Sequence, residues 1–102
     1  MNTNKVKKII KLSATWCGPC RAFESTFHRV SEMEEYKDIE FKEIDIEKDE
    51  DGEVLTEKYQ VRSVPTTILL DEKNELVYKI SGNVSEKDLI DIINNAMKMS
   101  QI

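Results

Sequence analysis

The sequence predicts an α/β fold, a mixed four-stranded sheet flanked by helices, with elements in the order βαβ, helix, ββα. Three observations carry this. The spacing of apolar residues switches repeatedly between a period of two and a period near 3.6. The first strand–helix–strand unit brings its two strands into the sheet side by side and parallel. Two later strands are separated by the five residues 71–75, a span that suits an antiparallel hairpin.

Residues 6–12 form the first predicted strand, with Ile9, Ile10 and Leu12 apolar. Ser13-Ala14-Thr15 leads out of it. After Cys17-Gly18-Pro19 a helix is predicted to about residue 36, placing Ala22, Phe23, Phe27, Val30 and Met33 on one face. Pro19 fits the first turn, where a missing N–H costs nothing. Residues 40–46 alternate, with Phe41, Ile44 and Ile46 apolar, and form the second strand. Residues 51–59 read as a short acidic helix with Val54, Leu55 and Tyr59 inward and Gly52 weakening its start. Residues 66–70 are β-branched and apolar and make strand three. Residues 71–75 turn, with Asn74 expected at positive φ, and residues 76–80 make strand four. Ser85 opens the last helix with Asp88 as its capping-box partner, and Leu89, Ile92, Ile93, Ala96 and Met97 form its buried stripe.

A chain of 102 residues matches one domain, expected over 1–102. With 39% hydrophobic residues it has enough apolar side chains for a core, and 34% charged residues suit a water-facing surface. A net charge of −5 argues against nucleic-acid binding and against an anionic membrane surface. The acidity within residues 43–57 reads as a solvated loop and helix face. No stretch approaches the roughly 20 apolar residues needed to span a bilayer. The basic start, Met1-Asn2-Thr3-Asn4-Lys5, leads into a short apolar run without a signal peptide's long hydrophobic region or cleavage site, so a cytoplasmic location is expected.

The two cysteines are Cys17 and Cys20. A bridge across so short a loop restricts the unfolded chain very little, so these thiols read as chemical rather than structural. Spaced by two residues, they can close a disulfide within one helical turn. Cys17 stands at the predicted helix start, where unsatisfied N–H groups and the macrodipole favour an anion by a few tenths to about 2 kcal/mol. The thiolate is the nucleophilic form. Cys20, one turn deeper, is expected to be the more buried and to attack any mixed disulfide that Cys17 makes. Gly18 permits close approach of a partner backbone, and Pro19 stiffens the loop. The competing reading is a pair of inert or metal-binding thiols. Zinc needs about four ligands, only His28 adds a nitrogen, and no metal site is expected. His28 itself is expected at an exposed or half-buried helix position without a role. Arg62-Ser63-Val64-Pro65-Thr66 places a proline directly before strand three, which alone reads as an ordinary strand entry.

With Trp16-Cys17-Gly18-Pro19-Cys20, Val64-Pro65-Thr66 and Gly82 in this order, the chain resembles the thioredoxin family over about residues 5 to 98. The pentapeptide is highly specific; the proline and glycine are specific in combination with it. The resemblance implies the thioredoxin fold and a protein thiol–disulfide oxidoreductase that reduces disulfides of partner proteins, with Cys17 as nucleophile and Cys20 as resolving cysteine. It implies a cis Val64–Pro65 bond facing the disulfide. It also implies a shallow client-binding surface of Trp16, Gly18, Pro19, Val64, Pro65 and Gly82, where the Val64 backbone pairs with an extended segment. Simple core filling is the competing reading of Trp16. No cofactor is implied beyond the redox-active Cys17–Cys20 disulfide. The partners are disulfide-containing clients and an external reductase, either a thioredoxin reductase or a glutathione system, with no nucleic acid or membrane and the protein a monomer.

Three departures from the family stand out. Its N-terminal strand and helix have no counterpart, so one sheet face is expected to be less covered. Ser25 replaces the kinking proline of the active-site helix, which is expected to be straighter. Lys11 stands six residues before Cys17, where the family carries a buried aspartate, and Glu43 stands where it often has a lysine. Either the charge pair is kept with its signs exchanged, and an ammonium favours the thiolates, or Lys11 snorkels to solvent across the less covered face. Two other functions compete: a glutathione-dependent reductase of the glutaredoxin kind, and a non-catalytic binding subunit that uses the same surface.

Overall fold

A computed structural model describes residues 6–99, which leaves the basic start at Met1 to Lys5 outside the described residues. Four strands, β1 Lys8–Ser13, β2 Glu40–Asp45, β3 Thr66–Leu70 and β4 Leu76–Ser81, form one sheet in the order β2-β1-β3-β4. β1 and β2 are parallel, as the crossover demands, with Lys11 opposite Glu43. β1 and β3 are antiparallel, with Lys11 opposite Thr67, and β3 and β4 form the expected hairpin with a register shift between Leu69 and Leu70. The helices are α1 Gly18–Ser31, α2 Gly52–Lys58 and α3 Glu86–Met99.

Strand alternation sends side chains to two different cores. On one face Ile9, Leu69 and Ile80 pack against Phe23, Phe27 and Val30 of α1 and Leu89, Ile93 and Ala96 of α3. On the other, Ile10, Leu12, Ile44, Ile68 and Leu70 pack against Tyr59, with Leu55 of α2 at the edge. β3 lies at the centre and is buried along its whole length. One face is thus covered by two helices and the other by the short α2.

Several local expectations need correction. α1 ends at Ser31 rather than running to residue 36. Ser31 Oγ donates to the carbonyl of His28 at 2.7 Å, which competes with the helical ladder. A 3₁₀ turn, Glu34–Tyr36, follows and swings Tyr36 into the core. Met33 therefore lies in extended backbone before that turn, packed against the core but not on α1. The buried stripe of α1 is Cys20, Phe23, Phe27 and Val30, and Ala22, one position off it, is exposed. α2 buries Tyr59 and half-buries Leu55, four residues apart; Val54 sits about 100° round the helix and is 61% exposed, not inward. In α3, Ile92 and Met97 flank the buried stripe and are only half-buried. Asn74 has the expected positive φ of 63°.

Gly52 does more than weaken the start of α2. It is buried, and a Cβ there would lie 2.5 Å from the carbonyl oxygen of Ile46. α2 can approach the end of β2 this closely only because residue 52 has no side chain.

Candidate active site

The site forms where β1 ends and α1 begins. The Cys17 N–H donates to the carbonyl of Ala14 at 3.1 Å, closing a turn that delivers Cys17 to the N-cap of α1. Gly18 and Pro19 occupy the first turn, and Pro19 there sacrifices no ladder bond. The Cys20 backbone N–H donates to Cys17 Sγ at 3.1 Å, so the sulfur takes the place that a serine or aspartate oxygen fills at other helix starts. The two cysteines are joined as a disulfide with their Cα atoms 5.2 Å apart.

Cys20 is not deeper than Cys17. The two are 3% and 4% exposed. Cys17 is covered because Ala14, Ile46 and Val64 close over the pair, a contact between loops distant in sequence. Ile46 reaches this place through the parallel register: its N–H donates to the carbonyl of Ser13 at 2.9 Å, which extends β2 alongside the end of β1. Sequence reading gave Ile46 only a place in the second strand. Its position directly after the strand that pairs with β1 is the signal that links it to the cysteines.

The loop before β3 faces the sulfurs. The Val64 carbonyl oxygen lies 3.6 Å from Cys17 Sγ, and the Val64–Pro65 bond is cis. Gly82, at φ +90°, follows β4 and donates its N–H to the carbonyl of Pro65 at 2.8 Å, fastening the prolyl loop from behind. Only glycine takes that backbone conformation without strain. Trp16 is 63% exposed, at the rim and not in the core, and lines an apolar groove with Ile46, Val61 and Val64. Gly18 and Pro19 are exposed beside it. Of the six residues named from the sequence, Trp16, Gly18 and Pro19 are exposed chain neighbours of Cys17, Val64 faces its sulfur, Pro65 is buried, and Gly82 holds the Pro65 carbonyl.

Lys11 lies beneath this surface. It points to the face that α1 and α3 cover, where it is 2% exposed, so it does not reach solvent across the opposite face. Its Nζ stands 5.6 Å from the centroid of the Phe27 ring and 3.6 Å from Glu43 Oε2. The same carboxylate oxygen is 2.6 Å from His28 Nε2. His28 is exposed, as expected, but partnered. Among the described residues, the group of three possible metal ligands is Glu24, His28 and Glu43, all exposed, and it excludes both cysteines.

Among the described residues, no helix is long and apolar enough to cross a membrane. The sequence model of the thioredoxin family matches residues 1–95. A thioredoxin of Aspergillus fumigatus is 40% identical over 75 residues, covering 74% of this chain and 66% of that protein, so the chain spans slightly less than two thirds of this relative. A thioredoxin of Mycoplasmoides gallisepticum is 30% identical over 93 residues, covering 91% of this chain and 86% of the relative. The crystal structure of Deadhead, a germline-specific thioredoxin of Drosophila melanogaster, superposes with a TM-score of 0.74 at 32% identity, covering 90% of this chain and 81% of that one. A cysteine pair bridged across one helical turn, on a sheet shared with these proteins, is the arrangement that exchanges electrons through sulfur, and the chain belongs to the thioredoxin family of thiol–disulfide oxidoreductases.

Proposed function

We propose that this chain reduces disulfides of partner proteins by dithiol exchange, with Cys17 as the attacking and Cys20 as the resolving cysteine. The observation that carries the assignment is Cys17 Sγ at the N-cap of α1, accepting the Cys20 N–H at 3.1 Å. A donor and a helix dipole aimed at one sulfur favour its thiolate. Cys20 Sγ, on the next turn, already sits within bonding reach of it.

In the cycle the Cys17 thiolate attacks one sulfur of a client disulfide. The client S–S bond breaks, a Cys17–client bond forms, and the released client sulfur takes up a proton. Cys20, deprotonated, then attacks Cys17 Sγ. The Cys17–Cys20 bond forms, and the client leaves with two electrons and a second proton. The reaction balances on thiols alone, so it calls for no bound cofactor. A thioredoxin reductase or a glutathione system returns two electrons to the bridge, which suits a reducing, cytoplasmic setting. Trp16, Gly18, Pro19, Val64, Pro65 and Gly82 form the client surface of a single-domain monomer. There an extended segment lies along the Val64 backbone with its side chains against Trp16.

An insulin-type disulfide reduction assay tests this reading. Cys17→Ser is expected to fall to the uncatalysed rate. Cys20→Ser is expected to accumulate a mixed disulfide through Cys17, visible as an added mass that dithiothreitol removes. A Cys17→Ser protein that still turns over would overturn the assignment. Regeneration by glutathione and glutathione reductase, with none by thioredoxin reductase, would replace the reductant named first.

A further inference from the structure

A lysine that is 2% exposed in the wall of a hydrophobic core needs an explanation, because burying an ammonium costs several kcal/mol unless something uses or balances it. The balance here is partial. Glu43 is its ion-pair partner at 3.6 Å, but the Glu43 side chain is one-third exposed and its Oε2 is shared with His28 at 2.6 Å. The rest of the surroundings shows where the charge acts. Lys11 and Cys20 line the same cleft, of about 440 Å³, which is separate from the groove that Trp16 lines.

We propose that Lys11 is a positioning residue for the resolving step: its ammonium, through this cleft, favours the thiolate of Cys20, and Glu43 with His28 sets how much of that charge Cys20 experiences. The inference rests on the dithiol reading above and adds a residue to it. In the mixed disulfide the Cys20 thiol must lose its proton before it can attack Cys17 Sγ. The cleft gives that proton a path to water, and Lys11 stabilises the anion left behind. The electron count is unchanged: the Cys17–Cys20 bond forms as the Cys17–client bond breaks, and the client sulfur carries away the electron pair.

The cleft holds other charges. Arg21 and Glu24 face it from α1, Glu43 and Asp45 from β2, and Asp49 from the loop after β2. Phe27 of α1 and Thr67 of β3, which also neighbour Lys11, carry no charge, and His28 of α1 reaches it only through Glu43. Counted by sign, the four carboxylates outnumber the two cations and would oppose a thiolate. Counted by exposure, they do not. Arg21, Glu24, Glu43 and Asp49 are exposed and Asp45 is half-buried, so water and salt screen them, whereas Lys11 is screened far less. The Asp45 and Asp49 carboxylates are also engaged by backbone N–H groups of Asp45, Glu47 and Lys48. Lys11 is therefore the least screened of these charges, and on this proposal it outweighs the exposed carboxylates at Cys20.

The test titrates Cys20 directly in the reduced full chain, by the ¹³Cβ chemical shift of labelled cysteine. Lys11→Met is expected to raise the Cys20 midpoint by about one pH unit and to slow resolution of the mixed disulfide about tenfold at pH 7. Lys11→Arg, which keeps the charge, is expected to restore most of both. Glu43→Gln, a surface change that leaves the core intact, is expected to shift the midpoint the opposite way. An unchanged midpoint in both Lys11→Met and Glu43→Gln overturns the proposal, as does a shift that Lys11→Arg fails to reverse. Should Lys11→Met not fold, Glu43→Gln and His28→Gln carry the test, and no movement in either counts against it. These readouts follow one thiol's titration, so they stay distinct from the failure of Cys17→Ser to abolish turnover, which would sink the dithiol reading itself.

Discussion

The Cys17–Cys20 interval fixes one helical turn, so their bridge and the N-cap placement of Cys17 follow from local geometry. Their equal burial does not, because Ala14, Ile46 and Val64 arrive from three segments. Gly52 shows the same limit. In the chain it resembles a helix breaker; in the fold it is the contact that lets α2 lie on Ile46. Replacing it should displace backbone rather than a flexible side chain. Gly52→Ala is expected to lower stability by about 1–3 kcal/mol, read from urea midpoints at constant slope. It should also disturb the groove that Ile46 shares with Trp16, seen as a shift in Trp16 fluorescence.

Among the elements, those with strong periodicity or clear caps were legible, and those shaped by tertiary contacts were not. The hairpin of β3 and β4 follows from two apolar runs and Asn74 at φ 63° between them. α3 begins as its Ser-x-x-Asp pattern predicts: the Asp88 N–H donates to Ser85 Oγ at 3.1 Å. Ser85→Ala is expected to cost about 1 kcal/mol, and Ser85→Asp to recover most of it, both measured by thermal or urea unfolding. The end of α1 was missed because apolar spacing continues through Met33. What stops the helix is Ser31 bonding back to His28 and Tyr36 turning inward toward α3. Val54 points outward for a simpler reason: the inward row of the short α2 is Gly52 and Leu55, continued by Tyr59 at its C-cap.

Across the whole molecule, Ile46 packs both against the core on the α2 face and against the cysteine pair, so stability and site geometry are linked there. Tyr36 shows how far a polar group can tie distant parts together. It is buried, and its hydroxyl donates to Asn94 Oδ1 of α3 at 2.6 Å. Burial pushes its hydroxyl pKa above the ordinary 10.0, and the neighbouring Glu35 carboxylate adds to the effect. The unfolded chain releases that proton near the ordinary value, while the folded protein keeps it to higher pH. The folded state then holds more protons, and stability falls as pH rises through this window. This contribution is complete below the unfolded value and is lost above it. Urea midpoints at pH 9 and pH 11 are expected to drop more for the wild type than for Tyr36→Phe, which has no proton to release. Equal drops would remove Tyr36 as a source of the alkaline loss.

The amino-acid order alone settled the succession of strands and helices, the parallel first pair, the hairpin and the placement of a reactive sulfur at a helix start. Each depends on periodicity, crossover geometry or chemistry within a few residues, all of which are local. Packing decided the rest: the cover over Cys17, the close approach at Gly52, the break after Ser31, and the burial of Lys11 beside Glu43 in a cleft shared with Cys20. Those features depend on which distant side chains compete for the same space and the same charge, and that competition exists only once the sheet has closed.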